Sequence, residues 1–113
     1  MWPERDATRL RLVVEYASEA LSFASGRTRA DLDTDPMLAP ALIRCLEVAG
    51  EAAAQLSPET RDALPQIPWR AMISMRNRLI HAYHLVNLDI VWKAVTVEFP
   101  PIVAELTRVL RSP

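Results

Sequence analysis

One segment of the sequence, residues 73–83, gathers most of the side chains that could carry chemistry: Arg76, Asn77, Arg78, His81 and Tyr83. An imidazole that titrates near neutral pH can accept and return a proton, and a guanidinium can hold the charge on phosphate oxygens. Cleavage of RNA by attack of the ribose 2′-hydroxyl on its neighbouring phosphate needs such groups and no metal ion. His81 and Arg76 are therefore candidate catalytic residues, with a 2′,3′-cyclic phosphate as the expected product. Asn77 is a candidate for orienting the imidazole.

The spacing of Arg76 and His81 suggests that one copy of the helix is not enough. The two residues are five positions apart, so on an α-helix they point about 140° away from each other. Two copies packed about a two-fold axis would bring the arginine and histidine of both into one shared cleft. We therefore predict a homodimer with a composite site.

Composition favours a single helical domain over residues 1–113. The chain is 50% hydrophobic and 24% charged, with only two glycines, which argues against disorder and against a turn-rich β-sandwich. A formal net charge of -1 means that any contact with RNA must be local. The lone Cys45 cannot form an internal disulfide, and no apolar run approaches the ~18 residues of a membrane span. We expect a cytoplasmic protein in which Cys45 is an inert core thiol.

Hydrophobic periodicity predicts the elements that would position the motif. Apolar residues recur at three- and four-residue spacing over 5–24, 37–55, 68–83, from Asn87 onward, and over 102–110. Asp35-Pro36 and Ser57-Pro58 are typical of helix starts, and the second should open a short helix that ends at Pro65. Pro100-Pro101 should kink or break the last helix. The fold predicted is all-α: an up-and-down four-helix bundle with an extra short helix and a kinked C-terminal helix.

Beyond the motif, several sequence features resemble the HepT-like ribonuclease toxins of the HEPN superfamily. The motif itself, Arg-x-x-x-x-His-x-Tyr, spans Arg76 to Tyr83. Gly50-Glu51, Pro68-Trp69 and the run Asp89-Ile90-Val91-Trp92 lie at separations similar to those in that family. The resemblance covers most of the chain from the second helix to the C-terminus. Departures occur at three positions where the family usually has glycine, an aromatic residue and aspartate: Ala82, His84 and Asn87.

The resemblance implies an activity, site residues and partners. Arg76 and His81 match the family's ribonuclease pair, and Asn77 matches the polar residue after the arginine. Arg78 and Tyr83 would bind or support the RNA. Such proteins are homodimeric toxins that need no cofactor. They are encoded beside a minimal nucleotidyltransferase antitoxin of the MntA type, which in the family can block the toxin by attaching AMP to the tyrosine that corresponds to Tyr83.

Other interpretations remain open from the sequence alone. A helical dimer of this kind could lack catalysis and only bind a nucleotidyltransferase partner or a nucleotide, or serve a purely structural role. Glu51 either pairs with a motif arginine across helices or faces solvent. Trp69 and Trp92 are expected in the core rather than stacked on bases. Two weak sets of possible metal ligands are also present: His81 and His84 with Asp89, and the three aspartates at alternate positions, Asp31, Asp33 and Asp35.

Overall fold

A computed structural model describes residues 2–111 of the chain, with Tyr83 described by its backbone alone. Within that part the chain is helical and contains no β-strand, which confirms the predicted all-α fold. The longer helices are α1 (Glu4–Ala24), α3 (Leu38–Ala54), α5 (Trp69–His81) and α7 (Phe99–Arg111). The shorter ones are α2 (Asp31–Thr34), α4 (Pro58–Ala63) and α6 (Leu88–Lys93), with a 3-10 turn at Tyr83–Leu85 and a π-helical turn at Ala94–Glu98.

Helix α1 packs on both α3 and α7, and α3 lies between α1 and α5. Burial of the predicted apolar stripe explains this order: Leu10, Val13 and Ala17 of α1 are fully enclosed. Small residues of α3, such as Ala49 and Ala53, are buried as well, and they let the neighbouring helices approach closely. The motif helix α5 thus rests against the most central helix of the bundle. No helix in residues 2–111 is long and apolar enough to span a membrane.

The connection between α1 and α3 differs from the prediction. Asp35 was expected to cap the second helix, but it ends the unpredicted helix α2, and α3 begins at Leu38. The Asp35 carboxylate instead accepts a hydrogen bond from the backbone N–H of Met37, at 2.9 Å, a local turn that competes with capping. Arg27 pairs with both Asp31 and Asp35. These ion pairs give the polar segment a structural use that its spacing did not indicate.

The C-terminal helices form one continuous helical path that Pro100 and Pro101 do not interrupt. Asn87 caps α6 as predicted, because its side chain accepts hydrogen bonds from the N–H groups of Asp89 and Ile90. The irregularity lies in the π-helical turn just before the prolines, and α7 begins at Phe99 rather than at Ile102. Prolines offer no N–H to the preceding turn and crowd its carbonyls, and a widened turn accommodates both effects.

Candidate active site on helix α5

Apolar anchors hold the motif helix against the bundle. Trp69, Met72 and Leu79 of α5 are buried. The indole N–H of Trp69 donates to the backbone carbonyl of Leu64, at 3.1 Å, which fixes the start of the helix. This confirms the core position predicted for Trp69, while Trp92 packs against the core and is only partly buried. With these residues turned inward, the polar side chains of the motif are left on the other faces of α5.

Gly50 sets how closely α5 approaches α3. A Cβ at this position would lie 2.5 Å from the Cβ of Arg76 and 2.9 Å from the carbonyl oxygen of Met72. Contacts that short do not occur between real side chains and backbone, so any larger residue would push α5 away. The Gly50-Glu51 pair of the sequence therefore has a physical basis. Gly50 leaves room for the first side-chain carbons of Arg76, and Glu51 pairs with its guanidinium.

Arg76 is held at the edge of the α3–α5 contact. Its side chain is 20% exposed, and one guanidinium nitrogen, Nη2, lies 3.4 Å from a carboxylate oxygen of Glu51. The other, Nη1, donates to the side-chain oxygen of Asn77 at 2.6 Å. Its Nε is buried without a hydrogen-bond partner. The open question about Glu51 is thus settled in favour of an ion pair across helices.

The remaining motif residues lie at the surface. Asn77, Arg78 and His81 are exposed, and His81 is the last residue of α5. The amide oxygen of Asn77 accepts a hydrogen bond from Arg76, so within one chain Asn77 supports the arginine. This oxygen does not make the predicted contact with the imidazole of His81. The backbone of Tyr83 begins the 3-10 turn after α5. Its side chain lies outside the described part, so the roles predicted for the phenol stay predictions.

An apolar groove runs beside the motif between α5 and the α6–α7 path. Met72, Met75, Ile90 and Phe99 line it, and Arg78 stands at its rim. Two large apolar side chains here remain exposed: Ile90, which lines the groove, and Leu85, which lines an adjoining pocket together with Ile90. Exposed apolar side chains gathered near one groove indicate an interaction surface more often than chance.

No three His, Cys, Asp or Glu side chains gather as a metal-ligand set in the part of the chain that the structure describes. Asp89 instead accepts a hydrogen bond from Arg29, at 2.5 Å. Cys45 is buried, and burial, with a smaller contribution from the charge of Glu19, raises its pKa to about 11. The thiol is therefore protonated at neutral pH, as an inert core cysteine should be.

Comparison with known proteins finds one family match and several curated relatives. Residues 13–109 match the family described as Ribonuclease HepT-like. A protein of Thermococcus cleftensis named "Probable ribonuclease HepT" is 36% identical over 91 residues, which is 77% of this chain and 83% of that protein. A "Putative RNase" of Caldanaerobacter subterraneus is 36% identical over 103 residues, covering 91% of this chain and 92% of the relative.

A further "Putative RNase", from Methanocaldococcus jannaschii, is 30% identical over 111 residues, covering 97% of this chain and 92% of the relative. No solved structure matches the chain. Because the family match spans most of the chain and these relatives align over nearly their whole lengths, the expectation of an RNA-cleaving enzyme is confirmed at the level of the family. The chain belongs to the Ribonuclease HepT-like family of the HEPN superfamily.

Proposed function

We propose that the chain is a metal-independent endoribonuclease that works as a homodimer, with Arg76 and His81 at its catalytic centre. The observation that carries this proposal is the restraint on Arg76. Its guanidinium is held from two sides by Glu51 and Asn77, and the exposed His81 follows five residues later, at the end of α5. A fixed cation and an accessible imidazole are two of the groups that the 2′-hydroxyl reaction requires, and a second subunit would supply the other imidazole.

The roles follow from the chemistry of each group. One imidazole removes the proton of the ribose 2′-hydroxyl, whose oxygen attacks the adjacent phosphorus. The bond from phosphorus to the 5′-oxygen breaks, and a second imidazolium protonates that leaving oxygen. Arg76 stabilises the charge that builds on the non-bridging phosphate oxygens. Asn77 supports Arg76, and Arg78 assists RNA binding at the rim of the groove.

The homodimer supplies the second imidazole and covers apolar surface. Leu85 and Ile90 are exposed at the groove and its adjoining pocket beside α5, and a second copy packed there would remove them from water. A two-fold axis near the C-terminal end of α5 would also place His81 of both subunits beside one cleft. Association and active-site assembly would then depend on the same surface.

We further propose that the enzyme is the toxin of a toxin–antitoxin pair. Its antitoxin would be a MntA-type minimal nucleotidyltransferase that attaches AMP to Tyr83. The bulky, charged AMP would stand two residues from His81 and obstruct RNA. Intact mass of the protein co-expressed with such a nucleotidyltransferase should rise by one or more AMP units, and Tyr83→Phe should abolish the increase. An unchanged mass, or an increase that persists in Tyr83→Phe, would remove this part of the proposal.

The direct test of the activity replaces one imidazole and spares its neighbour. His81→Ala should lower the rate of RNA cleavage by about 100-fold or more, because a positioned general base or acid contributes that much. His84→Ala is a matched control, since His84 is also exposed on the same stretch and should leave the rate nearly unchanged. Circular dichroism should show both variants folded.

Two outcomes would redirect the assignment. Cleavage by His81→Ala at the wild-type rate would exclude a catalytic role for the imidazole. A folded wild-type protein that cleaves no RNA but binds the nucleotidyltransferase or a nucleotide would instead support the alternative of a non-catalytic helical binding module.

A further inference from the structure

A chain of polar contacts connects the first helix to the guanidinium of Arg76. Arg9 of α1 donates through Nε and Nη2 to the side-chain oxygen of Gln55, at 2.9 and 2.8 Å. Gln55, just after α3, donates through its amide nitrogen to Glu51, at 2.7 Å. The second carboxylate oxygen of Glu51 meets Arg76 at 3.4 Å. Three helices thus contribute to the surroundings of one arginine.

The polarity of these groups allows only one arrangement. An arginine side chain can only donate hydrogen bonds, so the amide oxygen of Gln55 must face Arg9. The amide nitrogen of Gln55 then faces Glu51, where it occupies one carboxylate oxygen and leaves the other toward Arg76. Arg9 therefore determines the orientation of an amide that in turn determines the orientation of the carboxylate.

The contribution of this chain to stability should be small. The Glu51 carboxylate is about half exposed, and the distance to Arg76 is long for an ion pair. Exposed pairs of this kind contribute little to stability. These contacts matter more for the orientation of Arg76. Its side chain is partly buried, so few conformations remain once Glu51 and Asn77 hold its two terminal nitrogens.

We propose that Arg9 and Gln55 are positioning residues for Arg76, acting through Glu51. This inference rests on the proposed function, because it assigns these residues to the orientation of a catalytic arginine. The predicted consequence is a defect in turnover with little change in substrate affinity or stability. A misplaced stabilising group lowers the rate at the transition state more than it weakens ground-state binding.

The test compares steady-state cleavage of a single-stranded RNA oligonucleotide by the full-length protein and its variants. Gln55→Leu keeps the approximate size of the side chain and removes its three hydrogen bonds to Arg9 and Glu51, so kcat should fall by about 10-fold with KM changed less than about 2-fold. Arg9→Ala should behave similarly, and Arg9→Lys should recover part of the loss. The control is Arg11→Ala, an exposed arginine of α1 that lies against α7 and should leave kcat unchanged.

A double substitution shows whether the effect passes through Glu51. Glu51→Ala should lower kcat, and adding Gln55→Leu should cause no further loss, since members of one network are not additive. If the losses in kcat of Glu51→Ala and Gln55→Leu multiply in the double variant, the proposal is overturned. Wild-type kcat in both Gln55→Leu and Arg9→Ala would overturn it too, as would a melting temperature that falls in step with kcat.

An NMR measurement separates this inference from the proposed function. The Nε–H resonance of Arg76, assigned from its loss in Arg76→Lys, should shift in Gln55→Leu and Arg9→Ala but not in Arg11→Ala. An unshifted resonance overturns the proposal, whatever the kinetics. If the wild-type protein cleaves no RNA, the proposed function fails, and the resonance still decides whether Arg9 and Gln55 position Arg76.

Discussion

The carboxylate of Asp6 is almost fully buried in the first turn of α1. It accepts hydrogen bonds from the backbone N–H and hydroxyl of Ser57, at 3.2 and 2.6 Å, and from the hydroxyl of Thr60 at 2.5 Å. The hydrogen bond from the Ser57 hydroxyl, followed by that from the Thr60 hydroxyl, holds the pKa of Asp6 below its usual value. The contact fastens the start of α1 to the start of α4.

Replacing Asp6 should reveal this contact as a stability that depends on pH. Asp6→Asn places an amide nitrogen among donors, so the free energy of unfolding at pH 7 should fall by about 2 kcal/mol. A carboxylate with a lowered pKa in the folded state stabilises it above the unfolded pKa of about 4 and loses this effect as pH falls through the folded value. Urea unfolding should therefore show a difference that shrinks below about pH 4.

A nearby acidic residue provides the control for that experiment. Asp62 lies on α4 and is exposed, so Asp62→Asn should change the free energy of unfolding by no more than about 0.5 kcal/mol. Two results would show that the ionised carboxylate of Asp6 does not stabilise the fold. One is a free energy of unfolding that changes as little in Asp6→Asn as in Asp62→Asn, and the other is a change in Asp6→Asn that is the same at pH 7 and pH 3.

Single residues also show what the sequence could and could not indicate about the site. Arg76 and His81 stood out because their types and spacing are visible along one helix. Gln55 and Arg9 did not stand out in the sequence, because they are separated by 46 positions. Their contact exists only after α1 and α3 pack together. Asp6 was missed for the same reason, because its hydrogen-bond donors come from α4.

At the scale of elements, helix boundaries followed from the sequence where apolar periodicity and caps agreed. Helix α1 lies within one residue of its predicted start, and the caps at Ser57 and Asn87 are confirmed. The short helix α2 and the π-helical turn were not predicted. Helix α2 depends on ion pairs of Arg27 and Arg29, and the π-helical turn depends on how prolines fit a packed helix. Neither feature leaves a periodic signal in the sequence.

The contact between α3 and α5 makes a prediction about Gly50. Gly50→Ala should gain up to about 1 kcal/mol of helix propensity. The clash with Arg76 and Met72 should outweigh this gain, for a net loss of about 1–2 kcal/mol in the free energy of unfolding. RNA cleavage should fall as well, because Arg76 moves with α5. Urea unfolding and cleavage assays measure the two effects.

An exposed position of the same helix supplies the comparison. Arg44 of α3 is exposed, and Arg44→Ala should leave stability within about 0.5 kcal/mol of the wild type. A Gly50→Ala protein that is more stable than the wild type and equally active would show that α5 does not depend on the close approach at Gly50.

At the scale of the whole molecule, one chain presents only part of the proposed catalytic centre. Arg76 is restrained beside α3, whereas His81 is exposed at the end of α5, beside apolar surface. The bundle could be predicted from the sequence because each helix buries its own apolar stripe. The arrangement of two copies could not, since the apolar residues that would meet lie on separate chains.

The central claim is that the imidazoles of two subunits share one cleft, and a purified heterodimer tests it most directly. Differently tagged wild-type and His81→Ala chains, isolated through both tags and checked by native mass spectrometry, give a dimer with a single His81. A shared cleft predicts that this heterodimer cleaves RNA at well under about a tenth of the wild-type rate, because it lacks the second proton-transfer group. Half of the wild-type rate, or a protein that is monomeric in solution, would contradict the account.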